Sequence, residues 1–208
     1  MPRLADHDAR RRRIAEALWR VATSNGLDAV SLRHVAAEAG VSMGHVQHYF
    51  RTKDEMLGFA LDAISERVAE RIGRRVTALA DAADPGARVR ALLVELLPLD
   101  EDRRLEAYVG FAFLTRAVVQ PGIADSLRRQ YRLLQEFVAE QIRAGQRAGT
   151  TTADLDPDRE AVTLLALVDG LAAHCLADVD AKAAALAAFD GHLRRLFPTA
   201  AAQSAPES

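Results

Sequence analysis

Apolar residues recur three or four positions apart along most of this chain, a spacing that places them on one face of an α-helix. The longest example covers residues 53–81, with apolar side chains at Met56, Ala60, Ile64, Val68, Ile72, Val76 and Leu79. No segment shows a convincing alternation with period 2, which a half-buried β-strand would require. Alanine and leucine dominate, and Gly and Pro are sparse. The sequence therefore predicts an all-α fold of about nine helices.

Residues that start and stop helices set the expected boundaries. Ser31, Ser42 and Asp156 each stand where an N-cap is needed, and Asp156 is followed by a proline, which suits the first helical position. Thr52 with Glu55 forms a capping box. The predicted helices span residues 7–25, 32–39, 43–49, 53–81, 86–97, 101–119, 122–147, 157–177 and 181–197.

Composition and motif content argue against several classes of protein. The chain has one cysteine, so no internal disulfide framework is possible and a reducing cytoplasm is expected. The chain contains no uninterrupted run of about 18 apolar residues, so no membrane span is expected. The Arg-rich start lacks the apolar stretch of a signal peptide. We find no phosphate loop, no metal-ligand spacing and no nucleophile beside a base. We therefore expect no enzyme activity, no catalytic residue, no metal site and no cofactor.

The charge is unevenly distributed. Residues 1–53 hold nine Lys or Arg against five Asp or Glu, a net charge of +4, whereas the whole chain carries −2. The remaining residues must then carry −6. The first quarter of the chain could contact a polyanion. A charged helix surface that only keeps the protein in solution is an equal alternative on charge alone.

The short helices 32–39 and 43–49, joined by a turn at Gly40, have the layout of a helix-turn-helix. In that motif the second helix enters the DNA major groove with its N-terminal residues on base edges. Gly44 lies in the first turn of this helix, where a glycine costs about 0.5–1 kcal/mol relative to alanine. A missing Cβ would let the backbone approach DNA closely. The alternative is a tight helical turn with surface histidines.

Side-chain chemistry divides the expected roles along this second helix. His45, Gln47 and His48 lie off the face used by the apolar residues Val46 and Phe50, and they can donate to or accept from bases. Tyr49 and Lys53 are the predicted phosphate contacts, which position a protein on DNA without reading its sequence.

Residues 10–57 resemble the DNA-binding domain of the TetR family of repressors. The resemblance is carried by V-S-L-R-x-V-A-x-E-A-G-V-S at residues 30–42 and by Y-F-x-x-K-x-E-x-L at residues 49–57. It implies a three-helix DNA-binding head and a larger helical domain that dimerises and binds a small ligand. The expected domains are thus residues 7–52 for the head and 53–198 for the second domain, with a disordered tail at 199–208.

The resemblance also implies DNA contacts position by position. The residues that correspond to them are Arg33, Ser42, Met43, Gly44, His45, Gln47, His48, Tyr49 and Lys53. Many relatives have Thr where this chain has His45, and Tyr where it has Gln47. These two departures leave the operator sequence open.

The resemblance further implies that the helices at 157–177 and 181–197 pair with those of a second copy. The sequence "EAVTLLALVDGLAAHCLAD", residues 160–178, permits this because it is apolar on more than one face and contains Gly170, Ala172 and Ala173. A helix that is apolar nearly all round must be buried on both sides. One large monomeric core is the alternative.

A small-molecule effector is expected in the second domain, and its identity is unknown. Apolar walls with a few polar groups are typical of such sites. The candidate lining residues are Arg104, Tyr108, Phe111, Phe113, Leu114, Asp169 and His174, although for each of them an ordinary core or interface position is the stronger alternative. The predicted function is a ligand-responsive regulator, a repressor that binds a palindromic operator as a dimer. The alternatives are an activator, or a DNA-binding protein whose second domain only dimerises.

Overall fold

The structure, a computed structural model, describes residues 2–79 and 84–198, and these residues form nine α-helices and no strand. The predicted all-α fold is confirmed. The helices are α1 Pro2–Asn25, α2 Leu32–Ala39, α3 Met43–Tyr49, α4 Lys53–Thr77, α5 Pro85–Leu93, α6 Glu101–Ala117, α7 Pro121–Ala148, α8 Pro157–Ala177 and α9 Lys182–Leu196. Single 3-10 turns lie at Leu27–Ala29, Val94–Leu96 and Val179–Ala181.

The predicted caps explain why the short helices begin and end where they do. The Ser31 hydroxyl accepts the backbone N–H of His34 at 3.2 Å, and the Ser42 hydroxyl accepts that of His45 at 3.1 Å. Gly40 ends α2 with φ +67°, in the left-handed region that glycine enters without a steric penalty. Each serine cap contributes about 1 kcal/mol.

Three boundaries differ from the prediction by more than two residues. The first helix begins at Pro2 instead of residue 7, because proline suits a first helical turn and the preceding residues give no apolar pattern from which to detect the extra turn. The fifth helix ends at Leu93 and tightens into the 3-10 turn Val94–Leu96 ahead of Pro98. The fourth helix ends at Thr77 instead of residue 81. The predicted disordered tail at 199–208 falls outside the described residues.

The chain divides into two compact units. The first comprises the residues up to Arg67 together with Tyr108–Leu127, and the second comprises Val68–Ala107 together with the residues from Arg128 onward. The unit that holds the helix-turn-helix thus includes the first part of α4 and a later segment, beyond the expected head at 7–52. The boundary after residue 52 stays a prediction about functional domains.

The first unit has its own apolar core beneath α1 to α4. Its fully or nearly fully buried side chains include Ile14, Leu18, Val35, Val46, Phe50, Met56 and Leu57. Burying each large side chain of this kind stabilises the fold by about 1.5–3 kcal/mol. Trp19 adds a directed contact, since its indole N–H donates to the carbonyl of Ala60 at 3.2 Å and thereby joins α1 to α4.

The second unit packs its helices around a separate apolar core. The buried side chains there include Leu93, Leu97, Val138, Ile142, Leu164, Val168 and Phe189. Arg90 on α5 and Asp190 on α9 form a bidentate ion pair with distances of 2.7 and 3.0 Å. This ion pair joins α9 to α5.

Candidate nucleic-acid interface

The helix pair α2–α3 is held by an apolar underside. Val35, Ala36, Val46 and Phe50 are buried, with at most 3% of each residue exposed. These side chains point toward the core of the first unit. The opposite side of α3, and in particular its first turn, is consequently turned outward. The sequence pattern of apolar and polar residues had predicted this division.

The nine predicted DNA-contact residues differ in exposure. Arg33, Ser42, Met43, Gly44, Gln47 and His48 are exposed, His45 and Lys53 are half-buried, and Tyr49 is buried. The exposed set contains both flexible donors and the bare backbone of Gly44. The first turn of α3 therefore presents the groups that a major-groove contact requires.

Gly44 is not required by the packing of the protein itself. A Cβ added there would have the hydroxyl oxygen of Ser42, 4.0 Å away, as its nearest non-local neighbour. The residue also has an ordinary helical φ, since the described glycines with positive φ are Gly26, Gly40 and Gly149. Alanine would fit and would favour the helix. The glycine is therefore explained better by a close approach from outside than by the fold.

Tyr49, a predicted phosphate contact, lies among three imidazole rings. Its ring centroid is 4.8 Å from that of His7, 5.3 Å from that of His45 and 5.1 Å from that of His48. Only 8% of the residue is exposed. The packing of Tyr49 against three rings leaves little of its surface for a ligand to contact. Sequence reasoning missed His7, because the contact joins α1 to α3 across 42 positions.

Lys53, the other predicted phosphate contact, is already engaged in the free protein. Its ammonium donates to the backbone carbonyl of Asp28 at 3.2 Å. Burial lowers the pKa of Lys53, and the nearby positive charge of Arg116 lowers it further. Arg116 lies 3.6 Å from a carboxylate oxygen of Asp28 and 3.7 Å from one of Asp54. A phosphate at this point would meet an ammonium that is partly shielded but already placed.

Not all of the positive charge in the first unit is available to a polyanion. Arg20 pairs with Glu38 at 2.6 Å, and Arg12 pairs with Glu66 at 3.3 Å. Both pairs are exposed, so each adds little stability. They do neutralise two of the arginines that gave the N-terminal segment its positive charge.

The residues proposed to line an effector site fall in both units. In the first unit Phe113 is fully buried, Tyr108 and Phe111 are half-buried, and Leu114 is 41% exposed. In the second unit His174 is exposed. These positions leave the effector site a prediction.

The two other polar candidates make defined contacts in the second unit. Arg104 donates to the carbonyls of Cys175 and Leu176, at 3.0 and 3.1 Å, and so satisfies the last turn of α8. Asp169 accepts the hydroxyl of Tyr131 at 2.7 Å. Burial raises the pKa of Asp169, and burial together with the bond to Asp169 raises the pKa of Tyr131.

The described part of the chain offers no metal-ion cluster, and one of its helices has the length and composition of a membrane span. Residues 2–79 and 84–198 contain no group of three or more His, Cys, Asp or Glu side chains placed to hold a metal ion. Helix α8 is long and apolar enough to cross a membrane by length and composition alone, and one third of that stretch is buried. One such helix is weak evidence for a membrane span, because a core helix of a soluble protein can have the same length and hydropathy.

Sequence comparison identifies two conserved family profiles in this chain. Residues 14–58 match the profile described as bacterial regulatory proteins of the tetR family. Residues 85–198 match the profile described as the C-terminal part of BetI-type transcriptional repressors. The chain is also similar to the HTH-type transcriptional regulator PksA of Bacillus subtilis, with 38% identity over 186 residues that cover 86% of this chain and 84% of PksA.

Solved structures give the same result for the fold. A transcriptional regulator from Rhodococcus sp. Rha1 superposes with a TM-score of 0.76 at 33% identity, covering 90% of this chain and 99% of the other. A regulator from Saccharomonospora viridis, solved in complex with choline, superposes with a TM-score of 0.79 at 28% identity, covering 90% and 94% of the two chains. The predicted resemblance is confirmed by these matches.

Proposed function

Because this chain belongs to the TetR family of DNA-binding transcriptional regulators, we propose that it is a homodimeric repressor that a small molecule releases from a palindromic operator. The match of residues 85–198 to BetI-type repressors supports repression over activation. The single observation that carries the DNA-reading role is the outward first turn of α3, where Ser42, Gly44 and Gln47 are exposed above a buried apolar face. Its place of action would be the cytoplasm, where the operator lies.

The operator follows from the symmetry of a dimer. Each copy would place one α3 in a major groove, and two such helices require half-sites about one helical turn, or a multiple of it, apart. His45 and Gln47 would read base edges, whereas Lys53 and the hydroxyl of Tyr49 would hold phosphates. A near-palindromic site is therefore expected.

The outer face of α8 supports pairing through the terminal helices. Val162, Ala166, Gly170 and Ala173 recur at intervals of three or four positions and are all exposed in the single chain. Val162 has the largest of the four side chains and is 52% exposed. The opposite face of α8 is buried in the second unit. An apolar face of small residues lets two helices approach closely, so we place the dimer contact on α8 and α9.

The second domain would bind the small-molecule effector that releases the protein from DNA. The choline bound by the Saccharomonospora viridis regulator makes choline the first compound to test. Helix α4 would carry the signal, because it begins at Lys53 in the first unit and ends in the second. An effector of this kind changes DNA affinity by about 1–3 kcal/mol, or roughly 5–150-fold.

The proposal is tested by selecting DNA from a random pool with the purified full-length protein at near-physiological salt. We expect an enriched inverted repeat, and the enriched site then serves to screen choline and other small molecules for release. Binding without any enriched sequence would contradict the reading role of α3. An enriched site that no compound releases would favour a second domain that only dimerises.

A further inference from the structure

Arg11 on α1 has an unusual environment for an arginine. Its guanidinium carbon lies 4.9 Å from the ring centroid of Phe50 and 4.2 Å from that of Phe59. The two rings also contact each other, with centroids 5.4 Å apart. A cation above aromatic faces gains about 0.5–2 kcal/mol, depending on its desolvation. The two phenylalanines therefore hold this guanidinium in one place.

Arg11 donates to no described protein group in the free protein. In the described part of the chain Arg11 forms no ion pair and no hydrogen bond, and its Nε is buried without a partner. The next residue, Arg12, is instead paired with Glu66. A guanidinium carries five donors, and stacking on aromatic rings satisfies none of them. Arg11 is thus a positioned cation with its hydrogen-bonding capacity unfilled.

The position of Arg11 relates it to the recognition helix. Phe50, one of the two stacked rings, is the C-cap of α3. His7, one helical turn before Arg11 on α1, contacts the ring of Tyr49. Arg11 consequently lies beside the C-terminal end of α3, one helical turn along α1 from the residue that contacts Tyr49.

We propose that Arg11 binds a phosphate of the DNA backbone and that Phe50 and Phe59 position it for that contact. This inference rests on the proposed function, since it assigns a further residue to the same DNA-binding surface. A phosphate oxygen pair accepts two parallel N–H bonds from the planar fork of a guanidinium, and the two Nη groups of Arg11 would supply them because Nε is buried. Stacking restricts the side chain before binding, so less conformational entropy is lost when the contact forms.

The salt dependence of binding separates this role from a general effect of charge. Each phosphate neutralised by a protein cation contributes about 0.9 to the slope of log K against log salt concentration on double-stranded DNA. Two copies of Arg11 in a dimer would contribute about 1.8. Arg12 lies one position away on the same helix, but Glu66 neutralises it, so its removal should leave the slope unchanged.

The experiment compares Arg11→Ala with Arg12→Ala, which remove the same charge from adjacent positions. Affinity for the enriched operator and for an unrelated duplex is measured between about 50 and 200 mM salt, where phosphate contacts dominate the change in affinity. We expect Arg11→Ala to weaken both by about tenfold or more at low salt and to reduce the slope by about 1.8. Arg12→Ala should bind as the wild type does. Equal slopes for the two variants would overturn the proposal.

Two more variants guard against a loss of folding and test the positioning role. Phe59→Leu keeps the charge and removes one ring, so we expect weaker binding with an unchanged slope. Arg11→Lys keeps the charge but not the planar fork, and it should recover the slope without recovering the affinity. Circular dichroism melting confirms that each variant is folded. If the wild type lacks an enriched operator, the proposed function fails, while the slopes on the unrelated duplex still decide the role of Arg11.

Discussion

Arg71 donates to both carboxylate oxygens of Glu106, with nitrogen–oxygen distances of 2.8 and 2.6 Å. The same guanidinium donates through Nε to Glu95 at 2.7 Å. Glu95 is 4% exposed and Glu106 is 8% exposed. The hydrogen bond to Glu106 is the main reason that the pKa of Arg71 is raised. One arginine of α4 therefore helps to neutralise two buried carboxylates, one in a 3-10 turn and one on α6.

Replacing Arg71 should strongly destabilise the second unit. Arg71→Met keeps most of the side-chain volume but leaves Glu106 and Glu95 without this cation, and breaking a buried pair in this way costs about 3–5 kcal/mol. The free energy of unfolding in urea measures the loss. Arg147→Met is the matched control, because its pair with Glu140 is exposed and such pairs contribute about 0–1 kcal/mol. Similar losses in the free energy of unfolding for both variants would show that the buried pairs of Arg71 stabilise the fold no more than an exposed pair does.

Gly44→Ala should have opposite effects on the stability of α3 and on operator affinity. Because the added methyl group has room in the free protein, it should stabilise α3 by up to about 0.5–1 kcal/mol. On DNA the same methyl group would obstruct the close approach of the backbone, and we expect operator affinity to fall about tenfold, or 1.4 kcal/mol. Melting and operator titration measure the two effects.

The control for this substitution lies on another helix. Gly73 in α4 has no neighbour within 4 Å of an added Cβ, so Gly73→Ala should bring a similar helix stabilisation and leave operator affinity unchanged. Operator binding by Gly44→Ala at the wild-type level would mean that the backbone at residue 44 does not approach DNA.

The sequence predicted those features of the fold that depend on neighbouring residues. Ser31 and Ser42 could be identified as caps because an N-cap and its N–H donor lie three residues apart. The capping box at Thr52 was also largely right, although the Glu55 carboxylate accepts the N–H of Arg51 and not that of Thr52. Local geometry fixes such contacts, so a single sequence contains enough information to find them.

Contacts between distant segments could not be predicted in this way. Arg71 meets Glu95 and Glu106 across 24 and 35 positions, and helical periodicity does not say which charged residues of two helices will face each other. The contacts of Arg11 with Phe50 and Phe59 likewise join residues that are distant in sequence. The outward face of α3 was predictable from the apolar residues on its other face. The burial of Tyr49 was not, because it involves a contact with His7 on the distant α1.

Base-reading and phosphate-binding residues should respond differently to truncation. Gln47→Ala should cost about 1–3 kcal/mol on the preferred operator and relax the choice of base at one position in each half-site. Lys53→Ala should weaken all sequences to a similar extent and lower the salt slope by about 1 for each subunit. Repeating the DNA selection with each variant tests both expectations. A changed base preference for Lys53→Ala would show that the two roles are wrongly assigned.

Asp169 should make the stability of the second unit depend on pH. Burial raises its pKa above the ordinary value of 3.8, so the folded state binds more protons than the unfolded state in the interval between the two values. The contribution of Asp169 to stability is then fully present below about pH 4 and is lost as the pH rises through the folded pKa. Asp169→Asn, which never ionises, should melt higher than the wild type at pH 7, and this gain should shrink toward pH 4.

The hydrogen bond from Tyr131 to Asp169 can be tested with a second variant, for which the opposite effect is expected. Tyr131→Phe removes the donor that holds the ionised carboxylate of Asp169, and bonds of this type contribute about 1.5–3 kcal/mol. We expect this variant to melt lower than the wild type at pH 7, the opposite direction from Asp169→Asn. If the melting temperatures of the wild type and Asp169→Asn differ by the same amount at pH 4 and pH 7, ionisation of Asp169 is not the cause of the difference.

The proposed dimer contact can be tested with one carboxylate placed on each of two helices. Val162 on α8 and Leu133 on α7 are both exposed, by 52% and 67%, so an aspartate at either position should be tolerated by the single chain. In a symmetric dimer Val162→Asp would bury two unpaired carboxylates, which costs several kcal/mol. The dissociation constant of the dimer should therefore rise about 100-fold or more, and operator binding should fall with it. Leu133→Asp should stay dimeric in sedimentation at the same concentration, and the reverse result would place the contact on α7.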